Sequence, residues 1–207
     1  MITLSALVDK ALDPQSIEAL EKYVDILRTV GMQRGLIGPR ESDRIWARHI
    51  VNSAAIAPLL PPGCVALDLG SGAGLPGVVL AILRPDVRWT LVEPLLRRAT
   101  FLEEVVDALS LGGSTTVVRE RAENYRGPLV DVVAARAVAP LDRLGRWALP
   151  LLKPGGALLA LKGQQAEDEI ALHGLPLRGA GAASVELQRL GGPALTDAVT
   201  VIVVRKR

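Results

Sequence analysis

One cysteine, Cys64, stands in 207 residues, so no disulfide can close within the chain and a reduced compartment is expected. With only two histidines, no cysteine–histidine zinc spacing can be built, and no metal is expected. Aromatic residues make up 3% of the chain, too few for a row of stacking side chains under single-stranded nucleic acid. The core must then be filled by Leu, Val, Ile and Ala. No window of about 18 apolar residues occurs, which argues against a membrane span. Residues 1–10 lack a basic segment followed by a continuous apolar one, so a cytoplasmic protein without a membrane partner is expected. Neither sign of charge dominates, with 24 Lys+Arg against 22 Asp+Glu. Nucleic-acid binding therefore depends on where the charges sit. A hydrophobic share of 49% excludes a disordered or collagen-like chain.

The texture changes near Leu60-Pro61-Pro62-Gly63, which divides a helical extension, residues 1–62, from a second unit, residues 63–207. In the first, Asp13 can cap a helix with Pro14 in its first turn, and Ile17, Leu20, Val24 and Leu27 recur at helical spacing up to Gly31. A second helix is expected from about Ser42 to Ala57. After Gly63, short apolar runs alternate with amphipathic segments. Cys64–Leu69, Trp89–Val92, Thr115–Val118, Leu129–Ala135 and Ala157–Leu161 read as buried strands. Helices are expected at Gly74–Leu83, along a face of Leu95, Ala99, Leu102, Val106 and Leu109, and along Leu141, Leu144, Ala148 and Leu151. The last of these precedes a turn at Lys153-Pro154-Gly155-Gly156. This alternation predicts a doubly wound, Rossmann-like α/β sheet of seven strands. Ser184–Leu190 and Ala198–Val204 leave no room for a helix between them and read as an antiparallel pair at the sheet edge.

The most informative stretch is Asp68-Leu-Gly70-Ser-Gly72-Ala-Gly74-Leu75-Pro-Gly77, between the first strand and a helix. Such a loop lets backbone approach a ligand at the carboxyl ends of parallel strands. Gly72-Ala-Gly74-Leu-Pro-Gly77 satisfies the dinucleotide pattern, with Glu93 near the position of a ribose-binding acid. Counted from Gly70, however, the third fingerprint position is Leu75, and a carboxylate at Asp68 would repel a pyrophosphate. The same carboxylate favours S-adenosylmethionine, which carries a sulfonium and an ammonium and no phosphate. Glu93 would then accept hydrogen bonds from both ribose hydroxyls.

The glycine block, together with Leu80-Ala-Ile82, Arg97-Arg98-x-x-Phe101-Leu102, Arg121-Ala122-Glu123, Arg136-Ala137 and Leu161-Lys162-Gly163, resembles the glucose-inhibited division protein B family. Arg48-His49-Ile-Val-Asn52-Ser53 resembles a further block of that family, with Asn52 where aspartate is usual. The resemblance runs from about Pro14 to the C-terminus. It implies a class I methyltransferase that uses S-adenosylmethionine to methylate N7 of a guanine in 16S rRNA. It also implies cofactor contacts at Gly70, Leu75, Ala122, Glu123 and Arg136, beside Asp68, Gly72, Gly74 and Glu93 from the loop reading. Gly35-Leu36-Ile37 departs from the family's Asn-Leu-Thr.

Guanine N7 carries a lone pair in its neutral form, so its methylation needs positioning and no general base. Ala134-Ala-Arg136-Ala-Val138 is consistent with this, since it lacks the Asn/Asp-Pro-Pro-aromatic segment used for exocyclic amines. Arg136, Lys162 and Arg121 are the candidates for orienting the guanine O6 edge or a phosphate. Residues 1–27 hold two basic and five acidic groups, whereas residues 28–48 hold five basic and two acidic. Arg44, Arg48 and His49, with Arg97 and Arg98, are the candidate contacts to 16S rRNA or the small ribosomal subunit. A monomer with no obligate protein partner is expected. Three alternatives stay open: a small-molecule methyltransferase, a nicotinamide-dependent oxidoreductase, and a non-catalytic RNA-binding module.

Overall fold

Strands covered on both faces carry nearly continuous apolar runs, and the runs after Gly63 form one such sheet. The computed structural model describes residues 13–191 and 198–207; residues 1–10, read above for an export signal, lie outside them. Seven strands, β1 (Val65–Leu69), β2 (Arg88–Val92), β3 (Thr115–Val118), β4 (Val130–Arg136), β5 (Leu152–Lys162), β6 (Ala182–Leu190) and β7 (Val199–Lys206), run in the order β3-β2-β1-β4-β5-β7-β6. β1 to β5 pair in parallel, and β7 lies antiparallel between β5 and β6. The strand order reverses between β1 and β4, and sheets of this kind bind ligands outside the carboxyl ends at that point.

Helix α1 (Pro14–Ile26) starts as expected, with Asp13 Oδ1 accepting from the Ser16 amide at 2.8 Å, and a wider turn carries it on to Gly31. The helix expected from Ser42 to Ala57 is not a single α-helix. A 3₁₀ segment, Pro39–Arg44, leads into a π segment, Ile45–Ile50, and then α2 (Val51–Ala54). Ile45 and Ile50, five apart, are both fully buried, and the wider i→i+5 turn brings residues at that spacing to one side. α3 (Gly77–Leu83) and α4 (Leu96–Ala108) follow β1 and β2. Ala99, Leu102 and Val106 of α4 are buried as expected, whereas Leu95 is 52% exposed.

α5 (Leu141–Ala148) buries Leu141, Leu144 and Ala148. The turn expected at Lys153–Gly156 is an excursion within β5. The partnering jumps from Val130↔Leu152 to Val132↔Ala157, with Gly155 at φ +76°. α6 (Ala166–Gly179) carries no such sequence signal, since Pro176 and Gly174 interrupt it and only Ala166, Gly174 and Leu177 are buried. It docks by seating Leu177 where a side chain at Gly145 would stand.

Alternation along the strands separates two cores. Ala66, Ala134 and Leu159 face a cluster with Leu20, Tyr23, Leu27, Ile45, Ile50, Val78 and Phe101. Leu67, Val133 and Leu158 face one with Leu141, Leu144 and Leu177. Residues 13–62 thus share their core with one face of the sheet, and the division at 62/63 marks a change of texture rather than two separate cores. Among the described residues no helix is long and apolar enough to cross a membrane.

Candidate functional site

Gly70 (φ +71°) and Gly72 (φ +59°) take the left-handed conformation that glycine adopts without a Cβ penalty, and they turn the chain sharply after β1. The amides of Gly70 and Ser71 donate to the Val92 carbonyl at 2.8 and 3.0 Å, tying the loop to the end of β2. Glu93 is 2% exposed and completes the tie, with Oε2 accepting from the Gly72 amide at 2.9 Å and Oε1 from the Leu95 amide at 3.0 Å. The later glycines serve packing. A Cβ at Gly74 would stand 2.8 Å from the Tyr23 hydroxyl, and one at Gly77 would stand 2.6 Å from Asp68 Oδ2.

Tyr23 of α1 is fully buried, and its hydroxyl donates to the Ala73 carbonyl at 2.7 Å. Burial and the nearby Asp68 charge hold its pKa well above the usual value, so it stays a donor. Tyr23→Phe is expected to lower the unfolding free energy by about 1–2 kcal/mol and to speed hydrogen exchange in the glycine loop. Denaturation and exchange measurements check this, and a variant matching the wild type in both would show that the hydroxyl contributes nothing.

Two crevices open above the strand ends. The first, of about 830 Å³, is lined by Gly70, Gly72, Leu75, Glu93, Ala122, Glu123, Arg121 and Arg98, with His49. The second, of about 770 Å³, is lined by Lys162, Asn52, Gln164, Gln165 and Thr200. Arg48, Arg136, Ala137 and Val138 line both and form the wall between them. Leu36, and Ile37 where the family pattern has threonine, supply apolar wall to the first crevice.

Four expected site residues line neither crevice. Asp68 is completely buried: its Oδ2 accepts from the Gly77 amide at 3.0 Å, its Oδ1 has no partner, and burial raises its pKa to about 7. It can act on a ligand only through its charge beneath the loop. Gly74 faces Tyr23. Arg44 ends the 3₁₀ segment, where a continuous helix from Ser42 to Ala57 was expected to carry it beside Arg48. Arg97 is exposed in the first turn of α4, while Arg98 beside it reaches the crevice.

On the shared wall, Ala137 has φ +53°, a conformation rare for a residue with a Cβ. Beside it, Arg136 Nη2 donates to His49 Nδ1 at 2.6 Å, while its Nη1 is buried without a partner. His49 Nε2 lies 3.1 Å from Glu41 Oε2, and Arg48 Nη1 donates to Glu41 Oε1 at 2.9 Å. Burial, then the Arg136 charge, push the His49 pKa down to about 4, so the ring is neutral at physiological pH. The structure thus gives His49 a place between Glu41 and Arg136, with its side chain 12% exposed, rather than on an open RNA-facing surface.

Lys162 also differs from expectation. Its ammonium donates to the Ala139 carbonyl at 2.9 Å and to Glu169 Oε2 at 2.7 Å, and the same oxygen accepts from the Leu141 amide. It braces the loop after β4. Arg121 is 70% exposed, with Nη1 3.8 Å from Glu123 Oε1. The sequence reading missed Tyr23, Glu41 and Trp147, the last lining the first crevice from α5. Trp147, three residues after Leu144 and four before Leu151, continues the apolar face of this segment and packs partly on the core of Leu141 and Leu144, which was an available signal. Tyr23 reaches the site through a loop 50 residues away, and Glu41 lines the first crevice while contacting Arg48 and His49.

Comparison with known proteins agrees with this architecture. The family model described as rRNA small subunit methyltransferase G matches residues 16–190. The ribosomal RNA small subunit methyltransferase G of Mycolicibacterium smegmatis is 49% identical over 195 residues, covering 92% of this chain and 82% of its own. That of Thermobifida fusca is 51% identical over 191 residues, covering 91% and 79%. Among solved structures, a SAM-dependent O-methyltransferase from Thermotoga maritima aligns with TM-score 0.62 at 18% identity, over 89% of this chain and 71% of that one. A tRNA (m1A58) methyltransferase from Aquifex aeolicus aligns with TM-score 0.59 at 13% identity, over 75% and 68%. At these identities the two structures show the shared fold.

Proposed function

Since the chain belongs to the rRNA small subunit methyltransferase G family, we propose that it transfers a methyl group from S-adenosylmethionine to N7 of a guanine in 16S rRNA. The observation that carries this reading is the meeting of two crevices at Arg136, the first of them bounded by a glycine loop between two carboxylates. A buried carboxylate with one unpartnered oxygen, Asp68, under that loop suits a cationic cofactor and opposes a pyrophosphate. The residues present therefore fit S-adenosylmethionine.

In this reading Gly70, Gly72 and Leu75 offer backbone to the cofactor, and Glu93 takes the ribose hydroxyls with its remaining lone pairs. Ala122 and Glu123 meet the adenine edge, and Arg136 bounds the reactive end. When bound, the cofactor supplies an electrophilic methyl group on a sulfonium for in-line displacement. The unpaired Arg136 Nη1 matches guanine O6, the acceptor beside N7, whereas adenine presents an amino donor at that place. Arg121 adds a cation at the outer rim, and Lys162 fixes the loop that carries Ala137 and Val138. No proton has to leave N7 before attack, and the neutral His49 already gives its Nδ1 lone pair to Arg136. Positioning therefore supplies the catalysis.

Arg44, Arg48, Arg97 and Arg98 are proposed to hold RNA phosphates around the crevice mouth. The chain is proposed to act as a monomer in the cytoplasm. Incubation with labelled S-adenosylmethionine and undermethylated small subunits is expected to place label on a guanine of 16S rRNA. Label on pyrimidines, on protein or on free metabolites alone would overturn the reading. Arg44→Ala with Arg48→Ala is expected to weaken RNA binding and flatten its dependence on salt by about one to two units of slope. An unchanged slope would remove this segment from the RNA interface.

A further inference from the structure

The Arg136 guanidinium is the one group on the wall between the crevices with a buried, unpartnered donor, and its orientation has to be set by what holds its other nitrogen. That partner is His49 Nδ1 at 2.6 Å, with the Arg48 carbonyl a distant second at 3.5 Å. A guanidinium only donates, so His49 must offer a lone pair at Nδ1 and carry its proton on Nε2. Nε2 in turn faces Glu41 Oε2 at 3.1 Å, and Glu41 is held from its other oxygen by Arg48. Nε2 and Oε2 are in close charge contact rather than an aligned hydrogen bond, since Glu41 Oε2 is without a hydrogen-bond partner, and the carboxylate charge favours the proton on the nitrogen that faces it. The three side chains come from separate segments: Glu41 from the 3₁₀ segment, His49 from the π segment, and Arg136 from the end of β4.

We infer that His49 is a positioning residue for methyl transfer. Favoured as the Nε2–H tautomer by the guanidinium on one side and the Glu41 charge on the other, it accepts from Arg136 and holds that guanidinium at the junction of the two crevices. This role rests on the proposed reaction and adds to it a relay, Glu41 to His49 to Arg136, in which His49 touches neither cofactor nor guanine. The relay explains why the ring is kept neutral: a protonated imidazole could not accept from the guanidinium and would repel it.

Two independent arms test the relay in the full-length protein. In the first, nitrogen NMR of the wild-type histidine ring is expected to show an unprotonated Nδ1 and a protonated Nε2 at pH 7, with the tautomers mixing in Glu41→Leu. An Nδ1–H tautomer or a charged ring at pH 7 would overturn the inference. This arm needs no methyl transfer, so its result stands whether or not the assigned reaction is correct. The second arm measures kcat and KM on undermethylated small subunits. His49→Leu is expected to lower kcat by about tenfold or more, the scale of a lost hydrogen bond to a charged group. His49→Asn, whose Oδ1 falls near the Nδ1 position, is expected to recover most of that loss. In an Arg136→Ala background His49→Leu is expected to lower kcat no further. Equal loss in His49→Asn and His49→Leu, or additive losses in the double variant, would show a merely structural histidine. If His49→Leu fails to fold, the tautomer measurement and His49→Asn still decide.

Discussion

Glu93→Ala is expected to weaken S-adenosylmethionine binding by at least 100-fold. The carboxylate gives one oxygen to the Gly72 amide and the other to the Leu95 amide, so it sets both the glycine loop and the entry to α4. It also lines the first crevice, where its spare lone pairs face the proposed ribose. Each hydrogen bond to a charged acceptor contributes about 1.5–3 kcal/mol, and two of them reach the energy of a 100-fold change in affinity. Calorimetric titration measures the loss, and denaturation of the unliganded variant separates it from unfolding. Glu93→Gln keeps one acceptor oxygen and is expected to fall between wild type and alanine. Alanine binding within about threefold of the wild type would remove Glu93 from the cofactor site.

Asp68→Asn is expected to change stability in a direction that depends on pH. Burial holds the folded carboxyl at about 7, against an ordinary value of 3.8. Between those values the folded chain binds more protons than the unfolded one, so this group makes the unliganded protein lose stability as pH rises from about 4 to 7. Above pH 7 the loss is complete. The interval corresponds to roughly 4 kcal/mol, an upper bound on what the neutral amide of the variant would restore at pH 8. Near pH 4 variant and wild type are expected to coincide. Thermal denaturation across this range checks both ends, and an unchanged slope in Asp68→Asn would place its origin in another group. The same substitution is expected to weaken S-adenosylmethionine binding by about tenfold, because the negative charge beneath the loop is gone. Higher stability with poorer binding is the combined signature.

Local rules carried the strands a long way. β3 begins and ends where the Thr115–Val118 run does, and β7 and β6 pair antiparallel as the spacing required. The glycine loop and Glu93 were legible because turn chemistry and strand ends are written in adjacent residues. Asp68 was legible as an acid of the site but not as a buried one. Its depth follows from α3 starting on its Oδ2, which no neighbouring residue announces. The Ser42–Ala57 stretch departs from one α-helix because its buried Ile45 and Ile50 stand five apart, a spacing that a period of 3.6 does not bring to one side. Lys162 was recognised as a cation near the crevice, but its partners Ala139 and Glu169 come from two other elements. What escaped in each case depends on tertiary contact: Tyr23 meets a loop 50 residues away, and Glu41 meets Arg136 only through His49.

The position of β7 has a consequence for how the protein is made. β6 is synthesised first and has no neighbour until β7 slides between it and β5. Until then two strand edges stand open, the kind of surface that invites pairing with other chains. Val199 and Thr200, at the leading end of β7, also line the second crevice. A nascent chain can therefore assemble its glycine loop well before it owns a place for the substrate, and the insertion of one late strand both covers the facing edges of β5 and β6 and finishes that pocket.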